Sequence, residues 1–174
     1  MVMTDQQSIQ AWFAGRLPDG WFTGAPEVTA DNDEILVVGA LSPPEVAADA
    51  DDSAKEHAHA GRIKRFREDT REKRMQIADE AERQFRRKGA WGASSGDVMR
   101  LFTTMSVPVM TRLRLPERQV LDTLVDAGVA RSRADALAWS VKLVGEHSEE
   151  WLAKLRTAMS AVDDLRAEGP DLQA

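Results

Sequence analysis

The chain has 174 residues, 43% hydrophobic and 30% charged, with no cysteine. That is enough for one ordinary domain or a small domain with appendages, and it excludes a disulfide framework, a thiol nucleophile and a cysteine-held metal. The net charge of −6 would argue against a nucleic-acid partner if it were evenly spread, but it is not. Residues 1–60 carry a net −9, residues 61–118 a net +7 and residues 119–174 a net −4, so a basic middle lies between acidic flanks, and local charge is what meets a partner.

In chain order, QSIQAWFAGRLPDGWF (7–22) begins as a helix with Ile9, Trp12 and Phe13 on one side, ended by LPDG. EVTADNDEILVVGAL (27–41) reads as a β-hairpin around Asp31-Asn32-Asp33, its second run from Ile35 to Val38 continuously apolar and therefore expected to be buried. Together these form a small α-β-β unit over residues 1–41. SPPEVAADADDSAKEHAHAG (42–61) is expected to be a mobile acidic link. From about Gly61 to Lys88 no proline intervenes. Ile63, Phe66, Thr70, Ile77, Ala81 and Phe85 make a thin stripe on one long basic helix (62–88), ended at Gly89. This helix could bind another protein, and Lys64, Arg65, Arg67, Arg71 and Arg74 on it could contact phosphates. GAWGASSGD (89–97) reads as a loop with Trp91 as a packing anchor, and DVMRLFTTM (97–105) as a short apolar segment, so that residues 62–105 form one helix-and-loop segment.

The last third carries the most specific pattern. In VMTRLRLPERQV (109–120) the residues alternate, so a strand would place Thr111, Leu113 and Leu115 on one face and Met110, Arg112 and Arg114 on the other. Pro116 and Glu117 suit a first helical turn. Val120, Leu121, Leu124 and Val125 line its face and Gly128 stops it. Ser132 and Asp135 form a capping pair ahead of a second helix with Leu137, Val141 and Val144, which Gly145 interrupts. A final helix, 148–168, carries Trp151, Leu155, Met159, Val162 and Leu165.

TRLRLPERQVLDTLVDAGVARSRADALAWSVKLV (111–144) resembles a ribbon-helix-helix module, the Arc/MetJ class of bacterial repressors, over about a fifth of the chain. The resemblance implies a module over residues 106–147, ahead of the C-terminal helix and tail at 148–174; with the hairpin and helical stripes read above, the whole is expected to be a mostly helical α+β fold. It implies an obligate homodimer in which two strands pair, with Leu113, Leu115, Leu121, Leu124, Leu137 and Val141 in the dimer core. The two-stranded ribbon would enter the major groove of double-stranded DNA. Met110, Arg112 and Arg114 would face base edges, and Arg131, Ser132 and Arg133 would meet a phosphate at the second helix's N-terminus. The chain departs from the family in Met110, which brings no N–H or O–H donor, and in the roughly 110 residues ahead of the module.

The function expected is therefore a sequence-specific transcriptional regulator of bacterial type. The alternative is a dimeric scaffold or adaptor that uses the module only to pair and to bind protein. No enzyme, cofactor or metal is expected. Ser94-Ser95 lacks a His-Asp arrangement, neither G-x-x-x-x-G-K-[ST] nor G-x-G-x-x-G occurs, and His57 and His59 belong to the acidic link. With no apolar span or secretory pattern, a cytoplasmic protein without membrane contact is expected.

Overall fold

The computed structural model describes residues 3–47, 49–103 and 105–168. The chain is of the α+β type, and it divides into two compact units, Met1–Val107 and Pro108–Ala174.

In the N-terminal unit, α1 (Met3–Arg16) buries Ile9 and Phe13, one turn apart on one face, and ends before the Leu17-Pro18 step. Strands β1 (Glu27–Ala30) and β2 (Glu34–Ala40) pair antiparallel. The turn between them closes because Asp31 Oδ1 accepts hydrogen bonds from the amides of Asp33 and Glu34, both at 2.8 Å. These donors hold the Asp31 carboxyl below its ordinary pKa. Helices α2 (Asp52–Asp69) and α3 (Arg71–Phe85) follow, then β3 (Lys88–Ser95) and β4 (Val98–Leu101). The sheet order is β1-β2-β3-β4. Strand β3 runs parallel to β2 and antiparallel to β4, and the α2–α3 pair supplies the crossover that a parallel neighbour requires.

This arrangement corrects the sequence reading in three places. The expected link at 42–61 is helical from Asp52 onward, where the Asp51 carboxylate accepts from the Ala54 amide at 2.7 Å and caps α2. The single helix expected over 62–88 is two. Thr70 leaves the helical conformation (φ −101°, ψ 3°), and the second helix stops at Arg86 in the left-handed region (φ 59°), ahead of Gly89. The expected loop at 89–97 is the interior strand β3. Its small residues are poor strand formers by themselves, but the packing demands them. A Cβ on Gly89 would stand 2.8 Å from the Ala78 Cβ of α3, and one on Gly92 would stand 2.8 Å from Leu101 Cδ2.

The register places Val28, Ala30, Ile35, Val37, Trp91 and Ala93 on one face of the sheet, all buried in a single core with Ile9, Phe13, Ile63, Phe66 and Ile77. The run Ile35–Val38 is continuous because β2 has a strand on each side and neither face is fully open. Trp91 anchors an edge-to-face aromatic set, with Phe13 and Trp21 each 6.1 Å away between ring centroids.

In the C-terminal unit, residues 108–114 have no regular secondary structure and lead into α4 (Leu115–Asp126), α5 (Arg133–His147) and α6 (Glu149–Glu168). The strand expected at 109–115 is absent, because a strand is defined by ladder hydrogen bonds and among the described residues no neighbouring strand pairs with it. Leu115 is instead the first residue of α4. Gly128 takes φ 73° and turns the chain after α4. Gly145 does not interrupt α5; the break falls at Ser148. Among the described residues no helix is long and apolar enough to cross a membrane.

Candidate nucleic-acid interface

The segment ahead of α4 carries the three residues expected to face bases. Met110 is 97% exposed, and Arg112 and Arg114 are exposed as well. Arg114 is the N-terminal cap residue of α4 with extended backbone (φ −81°, ψ 177°), and its side chain makes no capping bond. Its carbonyl accepts from the Arg118 amide at 3.1 Å. The Arg118 guanidinium donates to the Leu113 carbonyl at 2.8 Å, which ties the end of the irregular segment to the first turn of the helix. Leu113 is half-buried against the helix pair, so Leu113 points inward while Met110, Arg112 and Arg114 stay in solvent. A groove of about 330 Å³ runs beside this segment, lined by Val109, Leu113, Leu121, Leu137, Arg118 and Arg133 among others.

The turn between α4 and α5 is built from backbone and carboxylate contacts. The amides of Val129 and Ala130 both donate to the Leu124 carbonyl, at 3.0 and 3.2 Å. Ser132 caps α5, its Oγ accepting from the Asp135 amide at 3.2 Å, and Asp135 Oδ2 accepts from the Arg131 amide at 2.9 Å. Arg133 lays a two-pronged fork on Asp122 of α4, at 2.6 and 2.7 Å. That fork is what holds the Asp122 carboxyl below its ordinary range. All three residues expected to meet a phosphate are exposed but already engaged within the chain: Arg131 Nε lies 3.6 Å from Asp135 Oδ2, Ser132 caps α5 and Arg133 holds Asp122, and Asp135 adds a negative charge to the same helix end.

The residues expected in a dimer core divide sharply. Leu121 is buried with Ala130 and Ala136, and Leu113, Leu124 and Leu137 pack against them. Leu115 and Val141 are 59% and 66% exposed. Val120, Val144, Trp151, Met159 and Leu165 are exposed too, an amount of uncovered apolar surface unusual for a finished unit of this size.

Sequence reasoning missed one polar contact in the N-terminal unit. His59, expected in a link, lies on α2 with Nδ1 2.8 Å from Ser95 Oγ at the end of β3. Ser95 is only 1% exposed, so the pair fastens helix to strand and offers no reachable nucleophile. Only the position of β3 under α2, 36 residues apart in sequence, brings the two together. Among the described residues no group of three or more His, Cys, Asp or Glu side chains is arranged to hold a metal.

Family models match the two units separately: the Rv1265-like protein, N-terminal domain, over residues 7–101, and the Mb1296 C-terminal domain over residues 114–166. The boundary at Val107 and Pro108 falls between these ranges, as do Met110 and Arg112. The uncharacterized proteins Mb1296 of Mycobacterium bovis and Rv1265 of Mycobacterium tuberculosis are each 62% identical to the chain over 170 residues, 98% of this chain and 74% of theirs. No solved structure matches the chain significantly. With both units matched in order and such relatives aligned over nearly its whole length, the chain belongs to the Rv1265-like protein family.

Proposed function

We propose that this protein is a homodimeric DNA-binding regulator in which residues 109–115 of two copies pair as a two-stranded ribbon of the ribbon-helix-helix kind. The observation that carries this reading is the state of the C-terminal unit in one chain. An arginine-bearing segment without regular secondary structure, extended at Arg114, leads into a helix–Gly turn–helix pair whose Leu115, Val120 and Val141 stay in solvent. A second copy would supply the missing ladder bonds to the segment and cover the exposed leucine and valines. Arg112 and Arg114 would then stand on the ribbon's open face, four guanidiniums to one major groove. Arginine can donate twice to guanine O6 and N7, and each such contact contributes about 1–3 kcal/mol of discrimination.

Arg112→Ala with Arg114→Ala is expected to abolish protection of a selected duplex site while leaving the dimer intact by sedimentation. Unchanged protection by the double variant would rule the ribbon out as reader. An adaptor reading is favoured by α6, whose Trp151, Leu155, Val162 and Leu165 form an exposed apolar stripe. A chain that never binds duplex at low salt, yet remains dimeric, would select that reading.

A further inference from the structure

Helices α2 and α3 carry cations that a ribbon does not use. Lys64, Arg67 and Glu68 of α2, Arg71 and Arg74 of α3, and Phe102 beyond β4 line a cavity of about 540 Å³. Glu68 is the acidic member of that group, 4.0 Å from the Lys64 ammonium. Among the described residues none of Arg67, Arg71 and Arg74 makes an ion pair.

Arg74 is 6% exposed. Its Nε donates to Thr70 Oγ1 at 2.9 Å and its Nη2 to the Arg67 carbonyl at 2.6 Å. Its guanidinium lies 4.7 Å from the centre of the Phe102 ring, with that of Arg67 at 5.8 Å. Burial first, then the charges of Arg67 and Arg71, push Arg74 down to about 10, still protonated at neutral pH. The bonds to Thr70 and Arg67 explain how Arg74 is aimed, since a cation suits the carbonyl end of α2. They do not explain why three further cations line the same cavity. A cap needs one charge, and the exposed Lys64, Arg67 and Arg71 around the cavity repel one another and the buried Arg74. An anion would reverse the sign of every one of those interactions, and guanidinium forks match the oxygens of phosphate.

We propose that this cavity is an oxyanion site for a phosphate group, with Arg74 as its fixed inner contact and Lys64, Arg67 and Arg71 closing around it. The phosphate belongs either to a free phosphorylated compound or to a nucleic-acid backbone. The site is composed of residues of the N-terminal unit alone, so its free-phosphate form stands whether or not the ribbon reads DNA.

The test is calorimetric titration of the full-length chain with inorganic pyrophosphate at low salt. The variants are Arg67→Gln with Arg71→Gln, and a charge-matched control, Lys73→Gln with Arg83→Gln, on α3 outside the cavity. Saturable binding that weakens at least tenfold in the first variant and not in the control supports a free phosphate ligand. If pyrophosphate does not bind, duplex titrations decide. A drop of about 1.8 in the slope of log K against log salt, confined to the first variant, assigns the site to backbone phosphates, two contacts at about 0.9 each. Equal pyrophosphate affinity in both variants overturns the proposal. So does absent pyrophosphate binding together with an unchanged salt slope, or with no duplex binding, and Arg74 is then a helix cap only.

Discussion

The two units of this chain treat their apolar residues in opposite ways. The N-terminal unit buries Ile9, Phe13, Ile35, Val37 and Ile77 completely, and the tryptophans Trp12, Trp21 and Trp91 pack in or against that one core. Among its described residues the C-terminal unit buries Leu121, Ala130 and Ala136 below a tenth exposure and leaves valines, leucines and two tryptophans in solvent. Both have amphipathic helices, so helix pattern is not what separates them. The difference is the sheet. A four-stranded sheet presents a broad apolar face that three helices can cover, whereas the three helices of the C-terminal unit and their irregular lead-in have no sheet to close over. The proposed second copy would cover that surface, so the unit's exposed side chains carry the functional proposal more than its buried ones.

Breaking the finished unit should have the largest effect. Phe13→Ala removes a ring from a fully closed core and should cost about 3–5 kcal/mol, read as a lower denaturant midpoint for the tryptophan fluorescence transition. A loss below about 1 kcal/mol would deny that this unit holds a core of its own. Val141→Asp probes the unfinished unit. In a lone chain this exposed position should tolerate the change within about 0.5 kcal/mol. In the proposed dimer it buries a charge and should shift sedimentation toward monomer, with association at least about tenfold weaker, equivalent to about 1.4 kcal/mol. An unaltered dimer would place the interface elsewhere.

Smaller effects sharpen the comparison locally. Ser132→Ala removes the cap of α5 and should cost about 1 kcal/mol of the C-terminal unit's helical melt, leaving the N-terminal transition in place. The smallest effect concerns acid. The Arg16 guanidinium holds the Glu80 carboxyl below its ordinary pKa, as Arg133 holds that of Asp122. A depressed folded pKa means that the stability from each pair is complete above the ordinary carboxylate range and is lost as pH falls through the depressed value. Glu80→Gln should therefore flatten part of the acid limb of the urea midpoint for the N-terminal unit only, and Asp122→Asn the corresponding part for the C-terminal unit. An acid limb unchanged in Glu80→Gln would mean that the half-buried Arg16–Glu80 pair contributes nothing measurable.

Local chemistry was legible wherever a few neighbouring residues decide the outcome. The helix face with Ile9 and Phe13, the Asp31 turn, the Gly128 stop and the Ser132–Asp135 cap all follow from side chains acting within about four positions of themselves. The α+β class follows as well, from the hairpin pattern beside helical stripes. What only the tertiary structure decided was strand β3. Its glycines, alanines and serines have little strand preference, and they are in the sheet because β2 offers a ladder and α3 approaches so closely that nothing larger than hydrogen fits at Gly89. The same long-range placement broke the expected long helix at Thr70, put His59 on Ser95 and turned Arg74 inward beside Phe102. Composition and periodicity record what a residue prefers, but a parallel strand and a buried arginine exist only through partners far along the chain, and those partners are set by how the core closes.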